Sequence, residues 1–365
     1  MKPDADTLIA QQRDQFVERM LRAVGGAFTV FGVYLGHRLG YYPVLAEAPL
    51  TSFEVAARTG THERYAREWL EQQTVAGVLA VDDERLPAAE RRYRLPAGHV
   101  EPLLHEESGN YIAPLAQLLA GAVRPLPALL EAYRTGGGVP YADYGHDLRE
   151  GQAAINRPAF LGELAQMWIP TMPEVHARLQ ALPPARVADI GCGYGWSSIG
   201  LGHGYEHIRV DGYDLDAPSI ERANAIAAER GLGGRVKFYV RDAGDPALAG
   251  QYDLVTAFEC VHDMSNPVGV LSAMRRLMAP GGAVLVVDER VGDEFTAQGN
   301  DVEWMMYGWS ILHCLPVGMA DRPTVGTGTV MRTPTLERYA AEAGFQRVEV
   351  LPIENFFFRF YRLHA

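Results

Sequence analysis

The segment Asp189-Ile190-Gly191-Cys192-Gly193-Tyr194-Gly195 reads D-x-G-x-G-x-G. Glycine lets the backbone turn sharply and approach a ligand closely, and a loop of this kind before a helix presents its N–H groups to that ligand. The dinucleotide spacing G-x-G-x-x-G is not met, because residue 196 is Trp. An acid two residues before the first glycine repels a diphosphate and attracts an ammonium group. The loop therefore suits a cationic, zwitterionic ligand. Two further acids extend the pattern. Asp214 lies 23 residues after Gly191 at the end of a second strand, where a carboxylate accepts two hydrogen bonds from a ribose diol. Asp242, followed by Ala243, ends a third strand and can receive an adenine amino group. Three strand ends thus offer three acids to one nucleoside, whereas any one of them alone reads equally as a solvated turn or a helix cap.

Proton chemistry has one clear candidate. His262 follows the strand Leu254–Phe258, on the side where ligands bind in open parallel sheets. An imidazole with an ordinary pKa near ~6.5 accepts a proton at neutral pH; a His at that place also serves to cap the next helix or to bond backbone. Met305, Trp309 and His313 belong to an aromatic, Met-rich stretch from Trp304 to His313. Such a stretch suits an apolar planar molecule, and equally a core or a dimer contact. Tyr144 and Trp168 are aromatic candidates upstream.

These residues need a scaffold. From Arg186 onward, β-branched runs at 187–190, 210–213, 236–240, 254–258, 284–287, 347–351 and 356–362 alternate with helical patterns at 196–203, 217–230, 267–279 and 334–343. Such alternation predicts an α/β fold with an open, mainly parallel, Rossmann-like sheet. The short link between the last two strands makes them antiparallel, since parallel neighbours need a long crossover. Residues 1–135 are expected to be mostly helical. Helices are predicted from Gln11 to Val24 and from Ala27 to Leu39. Phe53–Arg58 and Glu63–Thr74 form a helix-turn-helix pair, with Thr51 or Ser52 as N-cap. Strands at 78–81 and 92–95 complete a winged helix. Gly136-Gly137-Gly138 marks a boundary, residues 139–151 read as turn-rich, and 153–182 as helices broken near Pro170 and Pro173. The expected domains are 1–135, a linker or lid at 136–184, and 185–365.

With 365 residues, 48% apolar and 21% charged, the chain has ordinary globular composition. Its 33 basic and 45 acidic residues leave a formal charge of −12, which disfavours a dedicated nucleic-acid binder. Residues 1–150 carry 15 basic and 20 acidic side chains. Cys192, Cys260 and Cys314 are spaced like neither a disulfide scaffold nor a zinc site, and no metal is expected. No apolar run has the length of a membrane span, and no signal-peptide pattern opens the sequence; the expectation is a soluble, cytoplasmic protein.

On the glycine loop, Asp214 and Asp242, residues 186–365 resemble the class I S-adenosylmethionine (SAM)-dependent methyltransferases. The resemblance implies that Asp189, Gly191, Gly193 and Gly195 surround the methionine end of SAM, Asp214 holds the ribose, Leu215 packs on adenine, and Asp242 and Ala243 close the adenine pocket. Phe258 would supply a carbonyl near the sulfonium, and S-adenosylhomocysteine (SAH) would be the product. His262-Asp263-Met264-Ser265, Pro280-Gly281-Gly282 and Val287-Asp288-Glu289 are similar to the plant-type and bacterial small-molecule O-methyltransferases, which carry a winged-helix dimerisation domain in front. That resemblance implies a homodimer, a small acceptor of secondary-metabolite type, His262 as base and Glu289 as the carboxylate that orients it. The family's second orienting acid would fall near Met331, which cannot play that role. Tyr144 and Trp168 would belong to a lid over SAM and the acceptor. A winged-helix transcription regulator sensing SAM or a metabolite, and a non-catalytic SAM-binding protein, are the alternative readings.

Overall fold

The computed structural model describes residues 5–248 and 250–365. The chain divides into two compact units at Ala120/Gly121, fifteen residues before the expected boundary. The helices expected to form a linker are part of the second unit.

In the first unit, one helix runs unbroken over Ala5–Arg38, where two were expected. Gly25 and Gly26 do not interrupt it. Only Gly32 and Gly36 are buried on this helix. Gly32 has to be small, since a Cβ there would lie 2.1 Å from Gln73 Nε2; its carbonyl accepts from Trp69 Nε1 at 2.7 Å. The short helix Ser52–Thr59 starts at Thr51 with a capping box to Glu54, the arrangement that satisfies two otherwise unpaired N–H groups. The helix Glu63–Val75 follows. Strands β1 (Ala80–Val81) and β2 (Tyr93–Arg94) pair antiparallel as the wing. Tyr41, Tyr42, Val55, Trp69, Leu70 and Tyr93 form the core of this unit.

The second unit is built on β3 (Arg186–Ile190), β4 (Arg209–Asp214), β5 (Val236–Val240), β6 (Tyr252–Phe258), β7 (Met278–Glu289), β8 (Arg347–Val350) and β9 (Phe358–His364). Their order in the sheet is β5-β4-β3-β6-β7-β9-β8. The first five are parallel, while β9 runs antiparallel to both β7 and β8. The sequence predicted every one of these strands. Central strands read as continuous apolar runs because separate clusters cover both faces of the sheet. The chain moves outward from β3 to β5, then returns to β6 on the other side of β3. The crevice at that switch point, beyond the carboxyl ends of β3 and β6, is where ligands bind in such sheets.

Residues 139–151, expected to be turn-rich, are helical: Tyr141–Gly162 forms a helix kinked at Gly145. A π-turn over Leu164–Trp168 and a 3₁₀ turn over Ile169–Thr171 precede the helix Pro173–Gln180. The break near the two prolines is where it was expected. Among the described residues no single helix is long and apolar enough to cross a membrane.

Candidate active site

A cleft of about 770 Å³ opens at the switch point. Its floor is the glycine loop. Gly191, Gly193 and Gly195 have φ of +66°, +50° and +78°, the left-handed region that disfavours a Cβ. A Cβ on Gly195 would lie 2.3 Å from the Phe238 ring, so the loop also packs onto β5 through this position. Gly193 has open space around it, and its N–H donates to Asp214 Oδ2 at 2.9 Å. The other oxygen of Asp214 accepts from the Asp216 N–H at 2.9 Å. Burial raises the pKa of Asp214 despite these bonds. Asp214 therefore faces the cleft while tying the loop to the end of β4.

Gly191, Gly193, Gly195, Asp214, Leu215, Asp242, Ala243 and Phe258 all line the cleft. Asp189 does not line it. Its carboxylate is wholly buried and accepts from Ser197 (2.5 Å), Ser198 (2.7 Å) and Thr256 (2.9 Å) hydroxyls. The expectation that Asp189 meets the ligand directly is corrected: it fastens the first turn of the helix Trp196–Gly204 to β3 and β6. Both of its oxygens are engaged inside the fold and away from the cleft, so it does not meet an ammonium group there.

The opposite wall comes from the helix Tyr141–Gly162. Tyr144 was expected there, but it is fully buried, donates to the Leu312 carbonyl at 2.8 Å and meets the His313 ring edge-on. The cleft-lining residues of this helix include Tyr141, Arg149, Gln152 and Asn156, with Ala142, Ala153 and Phe160. Arg149 binds both oxygens of Asp216 at 2.7 Å and lies over the Tyr141 ring. Trp168 also falls outside the cleft, in the core against Phe160 and Phe360. The helical turn from 141 onward was hidden in the sequence by Pro140, Gly145 and Gly151, which read as turn residues.

The acceptor candidates are dispersed as well. Met305 and Trp309 pack beside Val291, Val302 and Met306 in a small separate cluster. His313 is buried between the Tyr141 and Tyr144 rings, with ring centroids 5.8 and 4.7 Å away. Burial, and then the charge of His262, push its pKa down to about 3, so it stays neutral.

His262 sits in the 3₁₀ turn Val261–Asp263, 2% exposed. Its Nδ1 is 2.9 Å from Asp288 Oδ1 and 3.2 Å from Glu289 Oε2. Burial alone would lower its pKa; the Glu289 and Asp288 carboxylates outweigh that and hold it well above the usual imidazole value. Glu289 was expected in this role. Asp288 is the nearer partner, and adjacent residues at the end of β7 thus provide two carboxylates. Met331, where a second acid was sought, is buried apolar core. The three side chains bring ligand-type atoms within 4.8 Å of one another, but the proton that Nδ1 donates to Asp288 leaves that nitrogen no lone pair for a cation.

One residue was missed altogether. Glu259, the first residue after β6, lines the cleft with φ +51°. Burial, and then the nearby Glu289 carboxylate, push its pKa up to about 8. Its Oε1 has no hydrogen-bond partner. Glu in a Phe-Glu-Cys-Val run carries no local signal for this.

The methyltransferase-domain family profile matches residues 183–316, and the Rv2258c-like winged HTH domain matches residues 27–104. A ubiquinone biosynthesis O-methyltransferase of Aromatoleum aromaticum is 30% identical over 176 residues, 48% of this chain and 69% of that protein. A protein named as a probable chloroplastic tocopherol O-methyltransferase of Oryza sativa subsp. japonica is 39% identical over 105 residues, 28% of this chain and 29% of that protein. Over the other curated relatives the chain spans 36% to 63% of their own length. Among solved structures, PigF with SAH is similar at TM-score 0.70 and 16% identity, covering 95% of this chain and 99% of that one.

Proposed function

The chain belongs to the class I SAM-dependent methyltransferases, and on that premise we propose that it transfers the methyl group of SAM to a small-molecule acceptor, an oxygen nucleophile first of all. One observation carries this reading: a cleft at the switch point, floored by three left-handed glycines and rimmed by Asp214, Leu215, Asp242, Ala243 and Phe258. In this arrangement Gly193 and its neighbours face the methionine end. Asp214 takes the ribose hydroxyls, Leu215, 66% exposed, covers the adenine, and Asp242 and Ala243 close around its edge. Tyr141 and Arg149 cover the opposite side.

Transfer from a sulfonium is an in-line displacement with a good leaving group. Alignment and exclusion of water supply much of the rate, and a proton acceptor is required where the acceptor atom carries hydrogen. His262 with Asp288 and Glu289 forms the proton-holding centre beside the cleft. The relatives' names support oxygen as the acceptor atom, and an apolar planar acceptor of biosynthetic type fits the aromatic content around the cleft.

For the first unit we propose a homodimer. Phe16, Val17, Met20, Leu21 and Val24 lie on the helix Ala5–Arg38 with 46–69% of their surface exposed, an apolar face that a second copy would cover. The regulator reading loses support in the same unit. Arg64, Arg67, Arg91, Arg92 and Arg94 are each paired with an acid: Glu68, Glu63, Glu71, Glu54 and Asp82 respectively. Cations so compensated contribute little to phosphate binding.

Calorimetry with SAM and SAH tests the proposal, followed by turnover on a panel of phenols and amines. Binding of both nucleosides at micromolar Kd is expected. Absence of SAM binding by the folded protein overturns it, and sequence-selective DNA binding at physiological salt would revive the regulator.

A further inference from the structure

His262 is held behind the cleft, not in its wall. The cleft-lining residues around it are Phe258, Glu259, Cys260, Asp263 and Met264. His262 itself is 2% exposed, with Nδ1 committed to Asp288. Two carboxylates line the cleft at this end, Asp263 and Glu259, and of the two it is Glu259 that keeps an oxygen without a hydrogen-bond partner. Its geometry is unusual in two independent ways. It is the only non-glycine residue with positive φ among the described residues, a conformation that costs roughly 1 kcal/mol or more and persists where the surroundings impose it. The imposing contact is visible: the Glu259 N–H donates to the Val287 carbonyl of β7 at 2.8 Å. Its Oε1 is also buried with no hydrogen-bond partner, and such an oxygen calls for an explanation.

Resting on the methyl-transfer reading above, we propose that Glu259 is the group that takes the acceptor's proton, so that the acceptor is an oxygen or nitrogen nucleophile bearing a transferable hydrogen. The step balances as follows. The acceptor's O–H or N–H proton moves to the Glu259 carboxylate as the acceptor atom attacks the methyl carbon. The new O–C or N–C bond forms, the C–S bond breaks, and its electron pair returns to sulfur, leaving neutral SAH sulfur and a protonated Glu259. Solvent recovers the proton when products leave.

The neighbours of Glu259 tune it. Asn156 donates to its carboxyl, and Glu289 repels its charge. Cys260, Asp288, Glu289, His262, Asp263, His313 and Cys314 are titratable groups around this end of the cleft. Burial first, and then the Glu289 charge, push Glu259 up to about 8; burial first, opposed by His262 and helped by Asp288, pushes Glu289 up to about 8. The proton-accepting form therefore grows in as pH rises through about 8.

Glu259→Gln, Glu259→Asp and His262→Ala are compared with wild type as full-length protein. Infrared difference spectra between pH 6 and pH 9.5, recorded with saturating SAH, need no acceptor. Wild type is expected to lose protonated-carboxyl absorption from both Glu259 and Glu289, and Glu259→Gln only the Glu289 part; an undiminished loss in the variant overturns the proposal even where no panel compound is methylated. On any phenol or amine turned over, Glu259→Gln is expected to lower kcat about 100-fold with SAM Kd within twofold, to abolish the alkaline rise in rate, and to be partly rescued by Glu259→Asp. The deficit should shrink on a nitrophenol that is already ionised and needs no base. Wild-type kcat and pH profile in Glu259→Gln overturn the assignment while leaving methyl transfer standing. A wild type that binds no SAM removes the reading beneath it.

Discussion

Asp189 and Asp214, under the glycine loop, have every carboxylate oxygen engaged: three hydroxyls on the first, two backbone N–H groups on the second. A few residues along the same strand ends, Glu259, Asp288 and Glu289 each keep a buried oxygen without a hydrogen-bond partner. Both groups are acids, buried or half-buried, at the carboxyl edge of one sheet. The first pair has a partner on every oxygen and shapes the loop, Asp189 from within the fold and Asp214 from the cleft, where further lone pairs remain for a ligand. The second is left wanting, and burial there pushes Glu259 and Glu289 up to about 8. Burial therefore does not by itself mark chemistry; the state of the partners does.

Removing the scaffold acid should have the largest effect. Asp189→Ala leaves three buried hydroxyls without their acceptor, each orphan costing about 1–3 kcal/mol. We expect at least about 3 kcal/mol of destabilisation and a melting temperature roughly 10 °C lower by calorimetry, with SAM binding lost. A drop under about 2 °C would dissolve the contrast. On the other side, His262→Ala takes the buried cation from between the Asp288 and Glu289 carboxylates; breaking a buried pair is destabilising, and a lower melting temperature is expected by calorimetry. An unchanged melting temperature would show that His262 carries no charge there.

The unsatisfied acids also set a pH dependence of stability. Glu289 is held at about 8 against an ordinary 4.5, by burial first. A carboxyl whose folded pKa is raised stabilises most below its unfolded value, and that stabilisation is lost as pH rises through the folded value. Wild type should therefore lose thermal stability between pH 5 and 8, and Glu289→Gln should lose less over the same window. An identical slope in both would show that the group is not buried as described. The smallest effect belongs to the rim. Leu215→Ala should leave stability within about 0.5 kcal/mol, while SAM binding weakens by about 1 kcal/mol, roughly fivefold.

The strands and the glycine loop were legible because they are written in local spacing: apolar runs of five residues, helices between them, and glycines at alternate positions. The same holds for Thr51 and Glu54, whose three-residue spacing is the capping box itself. Leu215, Asp242 and Ala243 follow from being next to a strand end, where the direction of the chain is already known. Local spacing misled where Pro140, Gly145 and Gly151 made a helix look like a loop, and where Gly25-Gly26 made one helix look like two.

What the sequence determined alone is the sheet, its winged-helix partner and a loop shaped for a cationic nucleoside, since each is encoded within a few neighbouring residues. Tertiary structure decided which acids hold the scaffold and which face the ligand. It turned Asp189 inward onto three hydroxyls, placed Asp288 ahead of Glu289 beside His262, withdrew Tyr144 and Trp168 into the core, and forced Glu259 into a left-handed backbone at the cleft. Those outcomes depend on side-chain direction and on partners brought from β6, β7 and the helix Tyr141–Gly162, tens of residues apart, and no spacing along the chain specifies them.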